Sequence, residues 1–254
     1  MLDNESRSYW ERSIPMSFIG EGLNYEQKRN FRYSLHDYMQ EVFHFADFKD
    51  QVVLDLGCGA GIDSAEFIRH GARVVSLDFT NTGVKATQAL LKEAGLSGIV
   101  VQADARALPF KSHTFDCVYC FGVLHHIPQI EKALAQIHRV LKPTGNIMAM
   151  LYHRDSLLYA YSIMYLHGVR EKLLGKYTQN EILSWYSERN EGCPYTMAYT
   201  KDEARNLFEC FFENIQTETR YNVIDLPGRR KVKVTMDTNA LGWHLIIKGT
   251  PKVF

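Results

Sequence analysis

The chain carries no surplus of charge. Lysine plus arginine number 29, aspartate plus glutamate number 29, and the formal net charge over 254 residues is zero. Such a balance gives no global field with which to gather nucleic acid, and no nucleic-acid partner is expected. Long apolar runs are missing as well. The longest, Leu157 to Leu166, is interrupted by Ser162 and falls far short of the roughly 20 residues a membrane-spanning helix needs. Met1 to Glu11 is polar and charged, so no secretory leader is read there. Cysteine is sparse and odd in number, five in all. That gives no disulfide framework and points to a reducing cytoplasm. Cys117 and Cys120 form a C-x-x-C, but three places apart on a strand they fall on opposite faces. No second pair stands at metal-ligand spacing, so no metal is expected.

What is present is an ordinary globular composition, 46% apolar and 23% charged, in a length that suits one large domain or a domain with an insertion. The stretch Val52-Val53-Leu54-Asp55-Leu56-Gly57-Cys58-Gly59-Ala60-Gly61 organises the rest. Its apolar half reads as a strand buried on both faces of a parallel sheet. Its glycine half precedes an amphipathic segment with Ala65, Phe67 and Ile68. Strand, glycine turn and helix together leave backbone N–H groups bare, and a ligand can approach them without striking a Cβ. Asp55 adds a fixed charge at the strand's end.

Further buried-strand patterns follow at Ala72 to Asp78, Ile99 to Val101, Thr114 to Cys120 and Asn146 to Leu151. Between them lie helical patterns over Asn81 to Ala94 and from Ile130 through Leu141, the latter stopped by Leu141-Lys142-Pro143-Thr144-Gly145. Five such alternations predict an α/β fold, a Rossmann-like doubly wound sheet. The dinucleotide fingerprint asks for a sixth-position glycine or alanine. Counting from Gly57 that place holds Ile62, and from Gly59 it holds Ser64. This speaks against a nicotinamide-dependent oxidoreductase, which stays as an alternative. Asp78 lies 23 positions after Asp55, near the roughly 20-residue offset of a ribose-binding acid. An acid at a strand end also serves as a cap for the next helix.

The pattern Asp55-x-Gly57-x-Gly59-x-Gly61 resembles motif I of the class I S-adenosylmethionine-dependent methyltransferases. Three further stretches, in the same order, are similar to that family: Ala103-Asp104-Ala105 with Leu108-Pro109-Phe110, Phe121-Gly122-Val123-Leu124-His125-His126, and the Leu141-Lys142-Pro143-x-Gly145 turn. The resemblance spans residues 50 to 151. It implies S-adenosylmethionine as cofactor, bound by Asp55, Gly57, Cys58, Gly59 and Gly61, with Asp78 on the ribose hydroxyls and Phe79 and Phe121 beside the nucleoside. Asp104 and Ala105 are assigned to the adenine, since a carboxylate accepts from its exocyclic amine. It implies methyl transfer to a small-molecule acceptor, aromatic or lipid-like. A methyltransferase-like scaffold that binds cofactor without catalysis is the other alternative. His125 and His126 are the candidate bases, because imidazole titrates near neutrality, and Tyr152 and His153 leave the fifth strand at the same edge.

The flanks complete the expectation. Residues 1–50 have no strand pattern and many aromatics, from Tyr9 and Trp10 through Phe18 to Phe48; they predict an N-terminal helical cap, with Arg32 and Tyr33 reaching the cofactor's methionine end. Residues 51–151 form the cofactor-binding core of a single domain. Residues 152–199 form a helical, tyrosine-rich insertion after the fifth strand, open between a substrate lid, a core helix and a homodimer contact. Residues 200–254 predict a closing helix behind a Thr200-x-x-Glu203 capping box and a β-hairpin. The resemblance makes the sheet mostly parallel, with its last strand antiparallel. The basic run Arg229 to Lys233 reads as a solvated loop.

Overall fold

Apolar segments without a polar alternation bury both faces, so they pair edge to edge and take helices above and below. A computed structural model of the chain describes residues 2–17, 22–188, 192–226, 231–236 and 240–253. Phe18 of the N-terminal aromatics and Arg229 and Arg230 of the basic run lie outside the described residues. Three helices come first: α1 (Leu2–Ser17), α2 (Tyr25–Leu35) and α3 (Met39–Phe43). Then strands and helices alternate as β1 (Val52–Leu56), α4 (Ile62–Arg69), β2 (Arg73–Asp78), α5 (Asn81–Glu93), β3 (Ile99–Gln102), β4 (Phe115–Phe121), α6 (Ile130–Val140) and β5 (Leu141–His153).

β3, β2, β1, β4 and β5 lie side by side in that order, all parallel. The chain reverses its direction of winding between β1 and β4, and there the strand ends leave a crevice. The last strand, β10 (His244–Pro251), enters antiparallel between β5 and β7 (Phe212–Arg220). The mostly parallel, Rossmann-like sheet with one antiparallel strand is therefore as expected.

Side chains alternate between two cores. Leu54, Val118, Cys120 and Ala149 face α6 and the helix α8 (Lys201–Glu209), whereas Val53, Cys117, Tyr119 and Met148 face α3, α4 and the turn at Phe45–Phe48. Cys117 and Cys120 thus sit on opposite faces of β4, and all five cysteines are unpaired.

Three local departures have physical causes. Leu141-Lys142-Pro143-Thr144-Gly145 does more than stop α6, because β5 already begins at Leu141. The register with β4 jumps from Phe115↔Leu141 to Cys117↔Asn146, a bulge that accommodates a proline unable to donate to the ladder. The helical insertion opens on a π-helix, Leu158–Arg170. Its wide spacing buries Leu158, Ser162, Ile163 and Leu166 and leaves Tyr161, Tyr165 and Val169 outside. It is not apolar all round in its setting, and none of the described helices is long and apolar enough to cross a membrane. Helix α7 (Gln179–Tyr186) follows on its own capping box at Thr178 and Glu181, and the two-residue strand β6 (Ala198–Tyr199) joins the edge of β5. Finally, two short strands, β8 (Val223–Ile224) and β9 (Val232–Lys233), pair apart from the main sheet between β7 and β10. The expected closing hairpin is therefore a β7–β10 pair with this small sheet inserted.

Candidate active site

The crevice at the carboxyl ends of β1, β2, β4 and β5 is a cavity of about 320 Å³. The glycine turn builds one wall. Gly57, Gly59 and Gly61 all have positive φ, at 78°, 54° and 80°, a region that costs other residues about 1–2 kcal/mol. A Cβ on Gly57 would stand 2.2 Å from Val123, so that wall is closed by packing. A Cβ on Gly59 would meet nothing within 4 Å, and since Gly59 lines the cavity a methyl there would occupy ligand space. Asp55, Cys58 and Gly61 line the same wall.

Asp55 is buried and accepts a hydrogen bond from Ser64 Oγ at 2.5 Å. Burial pushes its carboxyl up to about 7, the nearby Asp63 adds to that, and the Ser64 bond pulls back. Asp78 and Asp104 both line the cavity, so the two carboxylates share one cleft. Each is already engaged. Asp78 Oδ2 accepts from Gly59 N at 2.9 Å, and Oδ1 accepts from Thr80 N at 2.8 Å and from Thr80 Oγ1 at 2.6 Å. Three of its roughly four lone-pair sites are therefore taken by the chain itself. The helix-cap reading and the ligand reading of Asp78 meet in one residue: it braces the entry to α5 and pins the glycine turn. Burial pushes its carboxyl up against those bonds.

Asp104 is clamped by Arg106, whose Nη2 donates to Oδ2 at 2.7 Å and whose backbone N donates to Oδ1 at 2.8 Å. Partial burial works against ionisation, but Arg106 holds the carboxyl below the ordinary range. Arg106 also reaches Asp3 at 2.9 Å, and so ties α1 over the cavity mouth. Arg7 lies 4.4 Å above the Phe79 ring, and Glu11 accepts from the backbone N–H groups of Asn81 and Thr82 at the start of α5. The N-terminal cap is thus a polar strap across this end of the cavity. Phe79, Ala105 and Phe121 line the cavity beneath it.

Arg32 reaches the wall from α2, buried and ion-paired to Asp63 at 2.6 Å. Tyr33 donates to Asp63 Oδ1 at 3.1 Å from behind and is not among the lining residues. The pair expected to reach the cofactor together is therefore split, with Arg32 at the cavity and Tyr33 supporting its partner.

The opposite end is lined by rings, among them Trp10, Tyr152, Tyr221 and Trp243. His126 lines it too, while His125 and His153 do not. The turn after β4 points His125 into the core, its ring tilted by 32° against Tyr152 with 3.9 Å between ring centres. Burial, then the charge of His126, holds it well below the usual histidine range. His153 is buried with Nδ1 3.0 Å from the Gly242 carbonyl oxygen, on the closing loop. Neither can receive a proton from a molecule in the cavity.

His126 is fixed on both nitrogens. Nδ1 stands 3.1 Å from the Tyr195 carbonyl oxygen and Nε2 stands 3.4 Å from Glu188 Oε1. Thr196 Oγ1 at 3.2 Å and Cys193 Sγ at 3.9 Å also face Nδ1, while the Tyr195 carbonyl and the Glu188 carboxylate can only accept and so favour a hydrogen on each nitrogen. Burial alone would lower its basicity; the bonds to Cys193 and Glu188 outweigh that and push it up to about 10. Tyr152 donates its hydroxyl proton to Glu188 Oε1 at 2.7 Å. The expectation of a neutral His126 waiting as a base is not what this geometry provides. Arg106, Glu188, Trp10 and His244 were not singled out in the sequence. Only Trp10, among the N-terminal aromatics, left a signal there.

The residues fit S-adenosylmethionine. A glycine cradle that a Cβ would fill, two carboxylates in one cleft beside it, and a ring-lined extension match a nucleoside joined to a short charged tail. Comparison with known proteins agrees. Residues 54–149 match the family model described as a methyltransferase domain. A ubiquinone/menaquinone biosynthesis C-methyltransferase, UbiE, from Enterobacter sp. is 38% identical over 111 residues, covering 42% of this chain and 44% of the relative. The chain thus spans less than half the length of the curated relatives it matches. Among solved structures, the PH0226 protein from Pyrococcus horikoshii superposes with TM-score 0.60 at 20% identity, covering 89% of this chain and 92% of that one. A SAM-dependent methyltransferase from Aquifex aeolicus superposes with TM-score 0.54 at 16% identity, covering 86% and 91%. At such identities the superpositions speak for the fold.

Proposed function

We propose that this chain, which belongs to the class I S-adenosylmethionine-dependent methyltransferases, transfers a methyl group to a small-molecule acceptor with a flat or apolar body. One observation carries the reading: a single cavity joins the glycine turn, Asp78 and Asp104 to a compartment walled by Trp10, Tyr152, Tyr221 and Trp243. When bound, S-adenosylmethionine supplies a methyl group already activated by a positively charged sulfur.

The remaining work belongs to the chain. Gly57, Cys58, Gly59 and Gly61 offer backbone to the cofactor's tail, beside Asp55 and Arg32. Asp78 takes the ribose hydroxyls, with Thr80 Oγ1 yielding one of its bonds. Asp104 and Ala105 take the adenine edge, with Phe79 and Phe121 on its flanks. α1 closes over both and excludes water. The rings at the far end hold the acceptor's reacting atom on the methyl axis. Such alignment alone can lower a barrier by roughly 7–11 kcal/mol. The reaction is placed in the cytoplasm, in keeping with five unpaired cysteines.

The test is transfer of label from S-adenosylmethionine, radioactive in its methyl group, to a panel of phenols, enols, thiols and amines. Labelled product is expected from at least one acceptor class. Tight binding of S-adenosylhomocysteine with no transfer across the panel would favour a scaffold, and preference for NADH would favour an oxidoreductase.

A further inference from the structure

Three buried imidazoles line the cavity, His36, His126 and His244; Arg32 Nη1 donates to His36 Nδ1 at 3.1 Å, and the other two have different settings. His126 stands 3.4 Å from Glu188, a neighbour that favours its protonated form. His244, at the head of β10, lines the same cavity, and its Nδ1 stands 2.5 Å from the Tyr38 hydroxyl. Tyr38 is buried, and among the described residues His244 is the hydrogen-bond partner of that hydroxyl. A buried O–H left without an acceptor costs about 1–3 kcal/mol. The phenol therefore donates to Nδ1, and the ring's own hydrogen sits on Nε2. The groups around the ring keep it neutral. Burial acts first, then the cations Arg32 on α2 and Lys231 before β9, which hold it well below the usual histidine range. His36, Phe121 and Tyr221 pack against its faces and edge.

We propose that His244 presents an Nε2–H donor to the acceptor and thereby selects an acceptor bound as an oxyanion, a phenolate or enolate. This rests on the methyltransferase reading above. Neither ring is assigned as a base: the carboxylate beside His126 favours its keeping the proton it holds, and the lone pair of His244 Nδ1 is occupied by Tyr38. The hydroxyl's proton passes to solvent as the acceptor binds. The electron pair it leaves, on oxygen or delocalised to a ring or enol carbon, forms the bond to the methyl carbon. The pair of the broken carbon–sulfur bond stays on sulfur. A neutral N–H donor suits this task because it strengthens as charge gathers on the acceptor oxygen. Tyr38 is a positioning residue that fixes which nitrogen carries the hydrogen.

The test uses the full chain saturated with S-adenosylhomocysteine, with 4-nitrophenol as the probe, its phenolate followed by visible absorbance. The bound probe is expected to ionise about one pKa unit lower than the free probe, a tenfold gain in phenolate at a pH below its midpoint. His244→Phe is expected to abolish that shift while S-adenosylhomocysteine affinity stays within about twofold. On the unaltered protein, nitrogen NMR of labelled histidine is expected to show His244 protonated on Nε2 alone at neutral pH, and Tyr38→Phe is expected to mix the two tautomers. A probe that binds neutral or not at all, a shift that survives His244→Phe, or a hydrogen on Nδ1 would each overturn the proposal. Failure of the unaltered protein to bind S-adenosylhomocysteine would instead fall on the methyltransferase reading.

Discussion

His126 Nε2 and Glu188 Oε1 face each other at 3.4 Å across the junction between the turn after β4 and the insertion. The pair fastens the insertion to the core. A histidine whose folded pKa is raised contributes stability that is fully present below its unfolded value, near 6.5, and is lost as pH rises through the folded value, here about 10. Glu188→Gln should therefore cost about 3–5 kcal/mol at pH 7 by urea unfolding, the range for breaking a buried pair. The gap from the unaltered protein should narrow toward pH 10. An equal gap at both pH values would contradict the ion pair.

Asp55 gives the opposite sign. A carboxyl pushed up to about 7 in the fold destabilises the folded state above its unfolded value near 3.9, and that cost grows until about pH 7. Asp55→Asn keeps an oxygen to accept the Ser64 hydroxyl. It should raise stability by about 2–4 kcal/mol at pH 8 and leave it unchanged at pH 4, while weakening cofactor binding. Thermal unfolding at the two pH values checks the sign.

The glycine turn separates packing from binding. Gly57→Ala places a methyl 2.2 Å from Val123 at a positive φ and should cost about 2–5 kcal/mol, from strain plus overpacking. Gly59→Ala meets open space and should cost only about 1–2 kcal/mol, yet lower S-adenosylhomocysteine affinity more than tenfold. Comparable stability losses in the two variants would contradict the geometry.

Arg32 and Asp63 form a buried pair at 2.6 Å that also collects the hydroxyls of Tyr33 and Tyr119 on Asp63. Asp63→Asn leaves a buried guanidinium without its counter-charge and should cost about 3–5 kcal/mol. The double change Arg32→Met with Asp63→Leu should recover only part of that stability: the charge and its partner leave together, but the Tyr33 and Tyr119 hydroxyls lose their acceptor. Urea midpoints of the three proteins decide it.

Much of this architecture was legible in the residues because the signals were local. Val52 to Leu56 and Arg73 to Asp78 are short, largely apolar runs with an acid at or next to the last place before a turn, the pattern of buried parallel strands. Asp78 and Asp104 were readable as cavity carboxylates from their places at strand ends. That Thr80 and Arg106 already hold them was not, since side-chain rotamers leave no trace in spacing. Consecutive His125 and His126 look equivalent on paper; the short turn at Leu124–His126 points one into the core and the other into the cavity. Glu188 and His244 lie 62 and 118 positions beyond His126; the insertion folding back onto Tyr152 brings the first and the pairing of β10 with β5 brings the second. The π-helix was hidden because its wide turn depends on packing against Trp243 and Val223 rather than on helical propensity.

The most direct measurement is a calorimetric titration of the unaltered chain and of Asp78→Ala with S-adenosylhomocysteine. Saturable one-to-one binding that weakens at least tenfold in Asp78→Ala is the predicted result. Absence of binding, or equal affinity in the two proteins, would contradict the placement of the nucleoside between the glycine turn and the strand-end carboxylates.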